Sequence, residues 1–246
     1  MRGRGERVRL FENDLLERLS RIHPLTPLLL WMSLIAAFLW RALTLHRLQP
    51  EVVAALTTAG LLVWSLTEYL IHRFVFHLET ISPVGRRLQF IVHGVHHEAP
   101  DDPMRLLMPL APAIAGFAIL YGLFRIVLGP GLVEPFSAGF LMGYLIYDYL
   151  HFAIHRTRPR MRLVRYLRRR HMLHHFVTPD ARWGVTSPLW DAVFRTTGTT
   201  ARSASPTDPT TRPSRSSSGH SPASAARRRP APARGRHRTA GARWPR

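Results

Sequence analysis

The chain contains no cysteine and no lysine, and its acids are few: 15 Asp and Glu against 34 basic residues, every one of them arginine. Without thiols there is no disulfide, no thiolate-ligated zinc or iron–sulfur site and no cysteine nucleophile. The all-arginine usage points to a GC-rich coding sequence rather than to a functional choice. The formal net charge of +19 is spread unevenly. Residues 201–246 carry eleven arginines against the single acid Asp208, and the remaining excess lies in the first 200 residues. No cleavable signal peptide is expected from residues 1–23, which are rich in charge and offer no apolar core or small-residue cleavage site.

A mean hydropathy of −0.05 suggests a soluble chain, but that average hides four apolar runs, at about 27–45, 52–71, 109–128 and 132–150. Each approaches the roughly 20 residues that a helix needs to cross a hydrocarbon core. Short turns pair them as one with two and three with four. Residues 1–23 form a charged arm in which Leu10, Phe11, Leu15, Leu16 and Leu19 recur at helical spacing, the pattern of an interfacial helix. Arginines crowd the arm, the 72–105 segment and everything after Leu150, and only Arg47 lies in the two connecting turns. The positive-inside rule then puts the arm, both histidine-bearing segments and the C-terminus on the cytoplasmic side. The expected fold is an all-α integral membrane protein of about four transmembrane helices under a cytoplasmic, histidine-rich helical cap. Three regions are expected: the arm at 1–23, a membrane catalytic domain at 24–194, and a low-complexity Arg/Pro/Ser tail at 195–246 that cannot bury a core and is expected to be disordered.

Ten of the fourteen histidines fall into four clusters: His72-x4-His77, His93-x2-His96-His97, His151-x3-His155 and His171-x2-His174-His175. Neutral imidazole is the commonest protein ligand for iron, zinc and copper. Positions i, i+3 and i+4 share a helical face, so His93, His96 and His97 form one stripe, and His171, His174 and His175 another. His151 and His155 also point together. His72 and His77 do not, because five residues advance an α-helix by about 500°; that pair needs a helix end or a bend. With the orientation above, all four clusters lie on one side of the membrane and can converge. Ten imidazoles are too many for one ion and about right for two. A hydrolytic zinc pair would normally bring bridging carboxylates, and no cluster contains one. Two irons held mainly by histidine at a membrane surface suit oxygen activation and attack on an unactivated C–H bond. The non-enzymatic alternative, a membrane metal-binding or metal-moving protein, calls for ionisable groups at the mid-depth of several helices; here the helix centres are apolar.

The text around these clusters resembles the fatty acid hydroxylase superfamily, which also holds sterol desaturases and carotenoid hydroxylases, and within it the fatty acid 2-hydroxylases. The resemblance rests on EYLIHRFVFH from Glu68, HGVHHEAPDDPMRLLMP from His93, YDYLHFAIHR from Tyr147, HMLHHF from His171 and GVTSPLWDAVF from Gly184. It implies a dimetal oxidoreductase that uses O2 and two electrons to hydroxylate a lipid acyl chain, at the 2-position if the likeness extends to substrate. The implied metal ligands are His72, His77, His93, His96, His97, His151, His155, His171, His174 and His175. Iron is implied in the active form, with zinc as the alternative on isolation. Oxidation of a carotenoid or a sterol is the rival within the superfamily. No HPGG haem-binding signature is present, so electrons are expected from a separate cytochrome b5- or ferredoxin-like protein. Departures from the family text include Pro109-Leu110 in place of a double proline, Phe152 and Arg156 in the third cluster, and Arg195 where a glycine usually follows.

Other residues fit this picture. Glu68 lies one turn before His72 and Asp148 three residues before His151, which suggests that each carboxylate accepts a hydrogen bond from a ligand's second ring nitrogen. Tyr144 and Tyr147 are candidates to line the substrate path, and Arg105 to meet a carboxylate or headgroup. His23, His46, His220 and His237 belong to no cluster and read as solvated or interfacial. The eight arginines from Arg156 to Arg170 read as membrane anchoring. The expected partners are a lipid substrate, the membrane and the electron donor, with no nucleic acid. The expected location is a bacterial cytoplasmic membrane.

Overall fold

Prolines set the starts of the long helices. The computed structural model describes residues 9–198 apart from Glu79 and Asp101. After a short α1 (Asp14–Leu19) come α2 (Leu25–Thr44) and α3 (Pro50–Ile71). A π-helical segment, His72–Phe76, continues α3, and α4 (Pro83–Gln89) runs through a second π segment, Phe90–Gly94, into α5 (Val95–Glu98). Then follow α6 (Leu110–Leu128), α7 (Val133–Arg156), α8 (Arg162–Phe176) and α9 (Leu189–Val193). Pro27, Pro50, Pro112 and Pro135 each fall in the first turn of their helix, where the missing N–H costs no internal hydrogen bond. The described residues contain no strand.

Among the described residues three helices are long and apolar enough to cross a membrane: α2, α3 with its π extension, and α6. The fourth expected span, α7, has the length but is less apolar. The reason is its position. It packs against α2, α3 and α6, and most of its residues are buried in protein, so it has less lipid to meet. By contrast α6 buries none of its residues fully and exposes Ile119, Ile126 and Val127. An apolar helix left uncovered in this way fits a lipid-facing position.

Small residues let α3 and α7 approach closely. A Cβ at Gly139 would fall 1.8 Å from the Thr57 carbonyl oxygen, and one at Gly60 1.9 Å from that of Phe136. Trp64 covers Gly143 and meets Phe140 and Tyr144 edge-on at 5.1 and 5.3 Å. At one end of this pair the buried Glu134 accepts from Arg41 Nε at 3.0 Å and faces His46 Nε2 at 3.3 Å, which fastens the α2–α3 turn to the start of α7. His46 is therefore a packed partner of a carboxylate rather than an isolated interfacial group. At the other end lie the histidines.

The arm differs from the sequence expectation. Its helix is only Asp14–Leu19, begun by Asn13 Oδ1 accepting from the Leu15 and Leu16 N–H groups. Leu15 and Leu16 face outward, but Leu10 is buried against Val95 of the histidine-bearing region. Glu17 accepts from the Leu10 N–H at 2.9 Å and from Arg105, and the Ile22 N–H donates to the Met104 carbonyl at 3.2 Å. The segment is thus a strap over the cap, and helical periodicity alone could not show that. Hydrogen bonds also tie residues 195–198 to the domain, so the ordered chain runs past 194. The rest of the expected tail, from 199, lies outside the described residues, as do His220 and His237.

Candidate metal centre

All ten clustered histidines converge, and they sort into two groups. His72, His77, His93, His97 and His174 form one; His96, His151, His155, His171 and His175 form the other. In each group, the nitrogens available as ligands lie within 4.8 Å of one another. The groups adjoin, with the His97 ring stacked on that of His175 at 4.1 Å.

Local geometry explains the sorting. In a π-helix the backbone bonds reach i+5 instead of i+4. The segment His72–Phe76 therefore turns the chain wide enough to bring His77 back beside His72, which supplies the bend the five-residue spacing required. The second π segment similarly precedes His96 and His97. On α8 the HxxHH stripe divides. His171 and His175 enter one group and His174 the other, because on a helix i+3 falls roughly 60° to one side of i and i+4 roughly 40° to the other. The second cluster divides in the same sense: His93 and His97 go to one group and His96 to the other.

The residues fit metal ions. His72 Nδ1 faces the Trp183 carbonyl, His174 Nδ1 the Ala181 carbonyl at 2.8 Å, and His151 the Leu106 carbonyl. A carbonyl only accepts, so each of these rings carries its proton on Nδ1 and presents a lone pair at Nε2. Those three Nε2 atoms are buried with no hydrogen-bond partner. Elsewhere ring nitrogens face each other directly: His93 and His97 at 2.9 Å, His77 and His93 at 3.2 Å, His171 and His155 at 2.9 Å, His96 and His175 at 3.0 Å. A buried cluster of lone pairs with too few protons between them is costly by itself and suited to a cation. Burial also holds the rings neutral, the state in which they ligate. It pushes His77 down to about 3 and His174 to about 4, and it lowers His93, His96, His97, His171 and His175 further with help from neighbouring imidazoles.

The two carboxylates do not bond the imidazoles as expected. Glu68 accepts from the Val185 and Thr186 N–H groups at 2.7 and 2.9 Å and from the Thr186 hydroxyl. Asp148 accepts from the Met108 N–H at 3.3 Å and the Tyr144 hydroxyl at 3.2 Å. Each points along its helix to a loop, and it is the loop that supplies the carbonyl to the histidine. One turn of helical spacing places the carboxylate near the imidazole, but the loop backbone is the nearer donor.

Asp191 does the same and was not foreseen. It is fully buried and accepts from the Trp183 N–H at 2.9 Å, the Gly184 N–H at 3.0 Å, the Thr196 hydroxyl at 2.8 Å and Arg170 at 2.9 Å. Arg182, between the two carbonyls that hold His174 and His72, takes a left-handed φ of 64°. Its N–H donates to the Thr196 carbonyl at 2.9 Å and its guanidinium to the Gly198 carbonyl at 2.9 Å. The available signal was an acid inside the apolar text SPLWDAVF.

A cavity of about 60 Å³ is lined by Tyr144, Tyr147, Asp148 and His151 of α7 together with His93 and His96. Tyr147 stacks parallel to His151 at 5.8 Å. Tyr144 and Tyr147 both line this cavity. Arg105 reaches the same wall but commits its guanidinium to Glu17 and to Ser20 Oγ at 3.0 Å, so it is a strut of the strap.

Comparison with known proteins agrees with this geometry. The fatty acid hydroxylase family model matches residues 57–196. The dihydroceramide fatty acyl 2-hydroxylase FAH1 of Arabidopsis thaliana is 32% identical over 196 residues, covering 79% of this chain and 82% of its own. The fatty acid 2-hydroxylase of Rattus norvegicus is 34% identical over 209 residues, covering 77% of this chain and 56% of its own. A solved structure of full-length scs7p, in which only the hydroxylase domain is visible, superposes with a TM-score of 0.71 at 32% identity, covering 76% of this chain and 70% of that one. With its helical membrane architecture and paired histidine groups, the chain belongs to the fatty acid hydroxylase family of membrane oxidoreductases.

Proposed function

We propose that the chain hydroxylates a lipid acyl chain at the carbon next to the acyl carbonyl, with iron in both histidine groups and O2 as co-substrate. The observation that carries this is the pair of five-histidine groups beside a cavity that they help to line. The position of attack follows the named relatives, two of which are 2-hydroxylases of fatty acids or fatty acyl groups. Those names do not favour a carotenoid or a sterol. Bound iron supplies the redox chemistry of dioxygen activation and hydrogen abstraction.

The chain's residues do the rest. The Trp183, Ala181 and Leu106 carbonyls fix the tautomer and direction of three rings. Glu68, Asp148 and Asp191 hold the loops that carry those carbonyls. Trp64, Tyr144 and Tyr147 wall off the cavity and exclude water from it. The uncovered faces of the spanning helices favour entry from the bilayer. Overall, RH, O2, two electrons and two protons give ROH and water, with the electrons from a separate cytochrome b5- or ferredoxin-like carrier. The arginine distribution supports a site facing the cytoplasm.

Expression with defined acyl lipids and a reducing system tests this. The expected product is a 2-hydroxyacyl lipid by mass spectrometry, absent in His93→Ala. An iron-loaded protein that yields no hydroxylated lipid would contradict it.

A further inference from the structure

A groove on the outer side of α8 is not used by any of the chemistry above. Its volume is about 490 Å³ and it is lined by Arg158, Arg165, Arg168 and Arg169 over Met172 and Leu173. No acid lines it, and among the described residues Arg158, Arg165 and Arg169 have no carboxylate partner. Like charges gathered in this way repel one another until an anionic surface meets them.

The position of the groove says which surface. Residues 165, 168, 169, 172 and 173 share a helical face, and the face turned away from it carries His171 and His174. Arg168 joins the two sides. It lines the groove, its Nε donates to the Ile154 carbonyl at 2.9 Å, and its charge bears on His155. The His155 ring in turn meets His171 at 2.9 Å.

We propose that this groove docks the acidic face of a small one-electron carrier protein, and that two bonded routes lead from it to the second histidine group: the covalent step from Met172 to His171, and Arg168 through Ile154 to His155. The proposal rests on the oxygenase reading. Two carrier molecules are each oxidised by one electron per turnover. Those electrons, two protons and O2 convert a C–H bond to an alcohol, and the second oxygen atom leaves as water. Lipid headgroups would need only the charge, which α8 and the preceding loop offer well beyond the groove. Lodging behind the histidines, over an apolar floor of Met172 and Leu173, matters to a redox protein.

The test uses the full chain in nanodiscs and the variant Arg158→Glu/Arg165→Glu/Arg169→Glu; Arg168 is spared because it braces Ile154. The probes are a soluble cytochrome b5 haem domain and a plant-type ferredoxin. At least one should bind the unaltered protein with an affinity that falls as salt rises. The variant should bind it and reoxidise it at least tenfold more weakly and slowly, with a shallower salt dependence. Helicity, metal content and hydroxylation driven by a small diffusible reductant should be retained. The milder Arg→Gln triple should fall between. Equal binding and reoxidation by both proteins would overturn the proposal. So would failure of both carriers to bind the unaltered protein at low salt, or a loss confined to association with phosphatidylserine vesicles. If the unaltered protein makes no product even with the small reductant, the oxygenase reading fails instead, and the carrier-binding result still stands.

Discussion

The two histidine groups contain the same residue type in the same number but are not held alike. In the first, His72 and His174 hang from the Trp183 and Ala181 carbonyls of one loop, and that loop is clamped by Glu68 on one side and Asp191 on the other. In the second, His151 meets the Leu106 carbonyl, while the Nδ1 atoms of His96, His171 and His175 are buried without a partner. The first group is pre-oriented by backbone; the second depends more on ring packing, such as His96 against His151 at 4.4 Å. Orientation before binding lowers the cost of taking up an ion. An ion in the first group should therefore be held more tightly, and the second should be the readier site of exchange.

The largest effects come from removing a ring. His174→Ala should empty the first group and His171→Ala the second, each abolishing product by mass spectrometry and lowering metal content in its own group. A subtler cut separates the groups without touching a ligand. Asp191→Asn keeps the shape but presents an amide where Trp183 and Gly184 donate. Metal affinity in the first group should fall about 10–100-fold, read by chelator competition, with the second group unchanged. Equal weakening of both would break the comparison.

Acid should act through the same rings. In the unfolded chain an imidazole titrates near 6.5, while in the folded first group burial holds His77 at about 3 and His174 at about 4. Below about pH 6.5 the unfolded state therefore binds more protons, so metal-free stability is greatest above that value and falls as pH drops toward 4 and below. Thermal melts of metal-free protein at pH 7, 6 and 5 should show a declining Tm, and bound metal should raise Tm at each pH without flattening the decline. A flat profile would contradict the neutral-ring picture.

The helices were legible because apolar length and first-turn prolines act locally. The convergence of ten histidines was legible because three of the clusters follow helical spacing and the arginine distribution puts all four on one side of the membrane. The sorting of neighbours into different groups was not, since it depends on two π segments, and π-helices have no composition signature. The loop carbonyls were invisible for a related reason: a backbone oxygen carries no side-chain identity. Glu68 and Asp148 were noticed as acids near ligands but assigned the wrong donors, because sequence distance along a helix says nothing about a loop arriving from residues 183–186 or 106–108. Leu10 and His46 were read from their neighbours in sequence, and each is partnered by a residue more than eighty positions away.

The smallest effect concerns the loop that braces the first group. Arg195 takes a left-handed φ of 56° just before Thr196, which bonds Asp191. A side chain in that conformation costs about 1 kcal/mol relative to glycine. Arg195→Gly should raise Tm by a few degrees (about 2–4 °C) and leave the second group untouched. A lower Tm would show that the side chain itself contributes.

The most direct test of the whole account is an anaerobic iron titration of the full chain in nanodiscs, followed by metal analysis after gel filtration. Two ions per chain are expected, taken up with two distinguishable affinities, with His174→Ala losing the tighter site and His171→Ala the weaker. One ion per chain, or two identical sites that neither substitution separates, would contradict it.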